Sequence, residues 1–442
     1  AAHSQCKRPD SSSPLMRRPV SDSANTAASL ALVVLSAVSG SSWSAEVAEV
    51  PSNGLVRDTL TGDWGGGRTW LLEHGAKVEP RLSQFYQGIN AGDGDDGYDY
   101  GGKADVRVKS DLARLGFWDG LSMVVHAEYN FGTSANGRGG VMIPVNTALY
   151  TPGMDGGDAF DISSFYFVQA FGNGASVAFG KINMIDMVAG KPFMGGAGID
   201  SFWNHTFTAT PTGTVPPYLL GVLASVPTDA ATYRLWVYDL HSYTNRSVFD
   251  DPFAGGVSIR GQVDFNVIIG GLPGHQGFSA FYSSQGGTDL ETLGDTIIPS
   301  PTPGTPGIKE SRYYVAYSFD QYLHEAGDSS GESYGLFGQV AVSDGNPNGL
   351  RWSMFLGVGG AGLFPGRSKD RWGVGYFYDG FSQSLKDSLA DIQTIRDEAG
   401  LEVFYDFVLT PWCHVGADLQ VIRPGLGEST AVIPGLRAVI RL

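Results

Sequence analysis

The 442-residue chain is rich in glycine (62 residues) and aromatics (12%), sparsely charged (17%), and carries a formal net charge of −16. That acidic balance argues against nucleic acid as a partner, because phosphates demand a basic surface. Beyond the first 45 residues no stretch approaches about 18 consecutive apolar residues, which excludes helical membrane spans and leaves a large β architecture, an outer-membrane barrel among the candidates.

Residues 1–45 read as a signal peptide and upstream residues. Met16-Arg17-Arg18 precedes the short apolar run "TAASLALVVLSAV", and "SGSSWSAEV" supplies small residues for cleavage near Ser44 or Ala45. Removing this leader takes away four basic and two acidic residues, moving the net charge from −16 to −18, and leaves Cys413 as the one cysteine. No intrachain disulfide or Cys-based metal cluster is then available.

Residues 46–75 form an expected periplasmic segment with a short helix. "TGDWGGGRTW" (61–70) lacks the Lys-Ser/Thr ending of a phosphate loop, and no strand precedes it. Asp63 is placed to cap a helix near Gly66–His74, and Gly75 to end it.

From residue 76 to 442 the pattern predicts an all-β, sixteen-stranded antiparallel barrel. "VSIRGQVDFNVI" alternates Val257, Ile259, Val263 and Phe265 against Ser258, Arg260, Gln262 and Asp264. "LSMVVHAEYNF" and "CHVGADLQV" alternate in the same way, so each segment has one apolar and one polar face. Such segments fall near 77–89, 103–114, 121–131, 162–171, 175–182, 219–226, 232–239, 257–269, 277–284, 312–320, 333–343, 352–359, 371–379, 401–409, 413–423 and 434–442. Connections after odd-numbered segments are mostly long, and those after even-numbered ones mostly short. That asymmetry is the signature of a barrel with a periplasmic and an extracellular rim. Phe117, Trp118, Tyr376, Tyr378, Phe404, Tyr405 and Trp412 cluster near segment ends, as interfacial rings do.

Four stretches carry a resemblance: "LTGDWGGGRTWLLEHG" (60–75), "FGKINMID" (179–186), "SFWNHTFTATP" (201–211) and "TPWCHVGADLQVIRPG" (410–425). Together they resemble the carbohydrate-selective porin family of the OprB type. The resemblance implies a sixteen-stranded outer-membrane porin that passes sugars, glucose-like ones above all, with no covalent chemistry and no cofactor. It also implies outer-membrane lipid, lipopolysaccharide and the barrel-assembly machinery as partners, and leaves a homotrimer open. Family members usually end in an aromatic residue, whereas Leu442 stands at the end here.

Selectivity in such a channel comes from the groups lining its narrowest part. The alternation nominates Asp105, Arg107, Lys109 and Asp111 on strand two, and His126, Glu128 and Asn130 on strand three. Strand eight adds Arg260, Gln262 and Asp264, strand fourteen Glu402 and Asp406, and strand fifteen Asp418 and Gln420. Arg107 and Glu128 rank highest, because a guanidinium fork can hold adjacent sugar hydroxyls and a carboxylate can accept from others. Loop 183–218 is too long for a mere connection and is expected to fold inward, with Trp203 and then Phe202 as rings for stacking on sugar. The competing assignments are an ion pair stiffening the wall and a tryptophan anchoring the loop. The acidic stretch 92–102 fails the EF-hand spacing and reads as a solvated loop, with calcium as the alternative. A differently selective or general porin is the alternative function. A barrel enzyme is a distant third, resting only on His126 beside Glu128, since no Gly-x-Ser-x-Gly elbow occurs.

Overall fold

The computed structural model describes residues 57–442, apart from 95, 155–156, 210–216, 242–246, 295–304 and 327–330. The leader therefore lies outside the described residues. Sixteen antiparallel strands close into one barrel: β1 (Ala76–Ile89), β2 (Gly97–Asp111), β3 (Leu121–Gly132), β4 (Ala159–Ala170), β5 (Ser176–Asn183), β6 (Tyr218–Pro227), β7 (Ala231–Tyr238), β8 (Ser258–Ile269), β9 (Leu272–Ser283), β10 (Arg312–Glu325), β11 (Ser333–Ser343), β12 (Leu350–Ala361), β13 (Arg371–Phe381), β14 (Glu398–Thr410), β15 (Cys413–Arg423) and β16 (Ala431–Arg441). Pairing of β1 with β16, Leu82 opposite Ile440, closes the ring. Closure leaves no free edge, so backbone donors and acceptors are satisfied where no water can reach them.

The alternation read from the sequence is the alternation of the wall. Phe165, Leu235, Phe278, Val315, Leu356, Val403 and Leu419 are exposed on the outside, while Asp161, Ser258, Ser283, Ser353, Glu402 and Gln420 are buried toward the lumen. Apolar side chains outward and polar ones inward suit a barrel surrounded by lipid. One rim carries short turns, at 171–175, 228–230, 270–271 and 411–412. The other carries the long loops 133–158, 184–217, 239–257 and 284–311.

Among the strand boundaries that differ from the sequence expectation, two have a clear local cause. Strand β2 begins at Gly97, so Tyr98, Asp99 and Tyr100, assigned above to an acidic loop, are paired with β1. Asp99 is bound by Arg138 at 2.9 Å, and Asp93 accepts the backbone N–H of Ser429 at 3.0 Å. Asp95 lies outside the described residues. Strand β9 begins at Leu272 rather than 277, because Gly270 and Gly271, both at positive φ (63° and 82°), make a two-residue hairpin turn. The Pro-Gly-x-x-Gly run that follows looks like a breaker but is strand. At Gly277 a Cβ would stand 2.5 Å from Asp264 Oδ1 and 2.6 Å from Ser318 Oγ, so the bare backbone makes room for a lumen carboxylate.

The opening motif is a clasp. Helix α1 (Gly67–Glu73) starts under Asp63, whose carboxylate accepts the N–H of Thr69 at 2.7 Å and its hydroxyl at 2.9 Å. Arg68 lies 4.2 Å from the Trp64 ring centroid and donates to the carbonyl of Leu442 at 2.7 Å. The motif thus ties the chain ahead of β1 to the end of β16, where the barrel closes.

Candidate functional site

Two long loops fold into the lumen, and the wall of β13–β16 is built to receive them. The Glu402 carboxylate accepts the backbone N–H groups of Trp203 (2.6 Å) and Asn204 (3.1 Å), and Glu398 accepts those of Met142 (2.8 Å), Ile143 (3.1 Å) and Gly425 (3.0 Å). Asp379 accepts the Thr206 hydroxyl at 2.9 Å, and Gln420 joins Asn204 (3.1 Å) to the Val145 carbonyl (2.8 Å). Arg437 donates to the carbonyls of Gly198 (3.2 Å) and Ser201 (2.9 Å) and pairs with Asp406 at 3.2 Å. Irregular loop backbone inside a barrel needs partners of this kind, since each unpaired buried group costs about 1–3 kcal/mol.

Packing matches the polar stitching. Phe202 lies against Phe207, Phe337 and Phe404, with ring centroids 4.6, 5.4 and 4.8 Å away. A Cβ on Gly373 would meet Phe202 at 2.6 Å, one on Gly375 would meet Phe207 at 2.6 Å, and one on Gly435 would meet Trp203 at 2.6 Å. These inward glycines are sockets for the aromatic run Phe202-Trp203-Asn204-His205-Thr206-Phe207. Helix α3 (His205–Thr208) is capped by the Asn204 side chain, which accepts from the Thr206 N–H. Burial pushes the His205 imidazole down to about 4, so it is neutral at physiological pH.

Further round the ring, against β1–β3, helix α2 (Met184–Val188) is clamped by charge. Asp186 pairs with Arg107 and accepts from or shares a proton with His126 Nδ1 at 2.7 Å. His126 Nε2 lies 3.2 Å from Asp105, which is bound in turn by Arg81 at 3.0 Å. Burial alone would raise the Asp186 carboxyl, but His126 and Arg107 outweigh it and hold the group below the ordinary range. Glu128 binds Lys103 (2.5 Å), Asn183 (3.1 Å) and Tyr218 (3.1 Å).

Between the inserted loops and the wall of β6–β11 lies a cavity of about 800 Å³. Its strand side carries Arg234, Arg260, Gln262, Asp264, Asn266, His275, Ser318, Asp320 and Gln339. Arg234 pairs with Asp264, Gln262 donates to Asp264 at 2.8 Å, and His275 Nδ1 lies 2.7 Å from Asp320. Its loop side carries Met184, Met187, Val188, Lys191, Met194 and Phe207, with Tyr150 beside them. A ladder of donors and acceptors facing an apolar strip can bind hydroxyls on one side and C–H surface on the other, and the volume falls within the range of about 300–1,000 Å³ usual for small-molecule sites.

Of the residues nominated from the sequence, Arg260, Gln262 and Asp264 line this cavity. Arg107 and Glu128 do not form a pair: their Cα partners across the β2–β3 ladder are His126 and Asp105, and each binds elsewhere. Asp105 and His126 belong to the α2 clamp. Lys109 stands exposed near Glu79 (3.7 Å), away from the cavity. Glu402 and Asp406 are fully buried under the inserted loops. Trp203 and Phe202, expected to stack on sugar, are 0% exposed and have no face open to a solute; they anchor the loop instead. The sequence reasoning missed Lys191, Arg234, His275 and Asp320, and the inward folding of 133–158. The inward glycines of β13 and β16 were the signal that large side chains must arrive from elsewhere.

A family model described as "Carbohydrate-selective porin, OprB family" matches residues 95–442. The high-pH structure of Pseudomonas putida OprB is similar at a TM-score of 0.74 and 19% identity, covering 88% of this chain and 99% of that one. Its low-pH structure gives a TM-score of 0.53 at 17% identity with the same coverage. At these identities the likeness bears on the fold. No curated protein matches the chain in sequence.

Proposed function

The chain belongs to the carbohydrate-selective porin family of the OprB type, and on that premise we propose that it lets glucose-like monosaccharides diffuse passively across the outer membrane into the periplasm. The family and the barrel point to a channel rather than an enzyme. The observation that carries the finer reading is the cavity between the inserted loops and β6–β11, with hydrogen-bonding groups on one side and methionine, valine and phenylalanine on the other. Sugars present the same two kinds of surface, hydroxyl edges and C–H faces.

The leader is removed on export in this reading, the segment before β1 stays periplasmic, and the barrel is inserted by the assembly machinery among lipopolysaccharide. The test is liposome swelling with the purified mature chain, comparing glucose, a disaccharide and a zwitterionic amino acid of glucose-like size. Faster swelling with glucose than with the amino acid supports the reading. Equal rates would leave a general porin, and no swelling would remove the channel itself.

A further inference from the structure

Besides two histidines, the cavity is lined by the charged residues Lys191, Arg234, Arg260, Asp264 and Asp320. Three cations thus face two carboxylates in a chain whose net charge is −16. Both carboxylates are already engaged, Asp264 by Arg234 and Asp320 by His275. Lys191 and Arg260 have no carboxylate within ion-pair distance among the described residues. Among the described residues the side chain of Arg260 donates to Gln262 Oε1 at 3.2 Å and lies 5.8 Å from the Tyr314 ring centroid, and its Nε is buried without an acceptor. Its Cα partner on β7 is Trp236, whose indole Nε1 is likewise buried without an acceptor.

Lys191 comes from the opposite side, on the inserted loop just after α2. It lies within electrostatic reach of Arg234, Arg260, Asp264 and Asp320, and burial, with repulsion from Arg260 next, pushes its ammonium below the ordinary lysine range. Lysine, arginine and the indole N–H are donors only. A wall oversupplied with donors, facing a second unpaired cation, is complementary to a ligand group that only accepts and carries negative charge. A carboxylate fits both conditions, and the guanidinium fork suits its geometry.

We infer that Lys191 and Arg260 form an anion subsite in the lumen, and that the sugars favoured by this channel are hexose-sized monocarboxylates, aldonates and uronates. This rests on the sugar-channel reading above and narrows it. The carboxylate lies between Lys191 and Arg260, the hydroxyls reach Gln262 and Asn266, and the carbon chain runs over Met187 and Val188.

The test is uptake of radiolabelled D-gluconate, D-glucose and D-glucosamine into proteoliposomes, with phenylalanine, a zwitterion of roughly hexose size, as a non-sugar control. The expected order is gluconate, glucose, glucosamine, and the ratio of gluconate to glucose uptake falls by about fivefold or more in Arg260→Gln and in Lys191→Gln, as expected when a charge at a constriction is lost. Lys191 sits on a loop, so its variant reports on the subsite even if Arg260→Gln fails to fold. Glucose uptake equal to or above gluconate in the unmodified chain, with both well above phenylalanine, overturns the subsite and leaves the sugar channel standing. Phenylalanine passing as fast as all three sugars overturns both.

Discussion

The carboxylate of Glu402, on the inner face of β14, holds the backbone N–H of Trp203 at 2.6 Å across a sequence separation of 199 residues. That bond, with the partner bond to Asn204, fixes how far loop 184–217 reaches into the lumen and therefore which side of the barrel stays open. Glu402→Ala leaves two buried N–H groups unpaired, at a cost of about 1–3 kcal/mol each. The expected outcome is a looser loop, seen as noisier single-channel current, a conductance raised by roughly twofold or more, and entry of a disaccharide that the unmodified channel retards.

The glycine sockets make the same point by packing. Gly375→Val places side-chain carbon where Phe207 now lies, 2.6 Å from the position of a Cβ. Overpacking of this kind costs about 1–3 kcal/mol. The barrel should still form, because strand pairing is untouched, while limited proteolysis should cut within 184–217 in the variant and not in the parent. Resistance equal to the parent's would show that the socket is not needed.

The α2 clamp should respond to acid. Asp186 is held below its ordinary range, so its contribution is fully present above the unfolded carboxylate value of about 4 and is lost as the pH falls through the lower folded value. The contribution of this clamp to conductance is expected to appear as a rise below about pH 4. In Asp186→Asn the charge with Arg107 is already gone, so the variant should conduct more at neutral pH and lose this acid response.

Within the cavity, Asp264→Asn frees Arg234 from its carboxylate. The lumen charge becomes more positive by one, and the reversal potential in a potassium chloride gradient should move toward chloride, more at low than at high ionic strength. An unchanged reversal potential would place Asp264 outside the ion path.

The barrel was legible in the sequence because lipid outside and water inside impose a period of two on every strand, as in Ile259, Phe265 and Leu419 against Arg260, Asp264 and Gln420. Which inward residues meet the solute was not legible. Glu402 and Arg260 look alike on an alternating strand, both polar and both inward. They differ because a loop from far along the chain covers one and not the other. Trp203 misled for the same reason: a tryptophan in an inserted loop reads as a sugar platform until Gly435 is seen to receive it. Lys191 carried no periodic signal at all, being set by the loop's path after α2.

The most direct test asks which side of the barrel the solute uses. Gln262→Cys and Gln420→Cys, each in the mature chain with Cys413 replaced by serine, would be treated with a bulky, water-soluble thiol reagent while single channels are recorded. The expected result is that Gln262→Cys reacts and its sugar flux and conductance fall, whereas Gln420→Cys, buried beneath the inserted loops, is unaffected. Block at Gln420→Cys with Gln262→Cys unchanged would contradict it and move the path to the β13–β16 side.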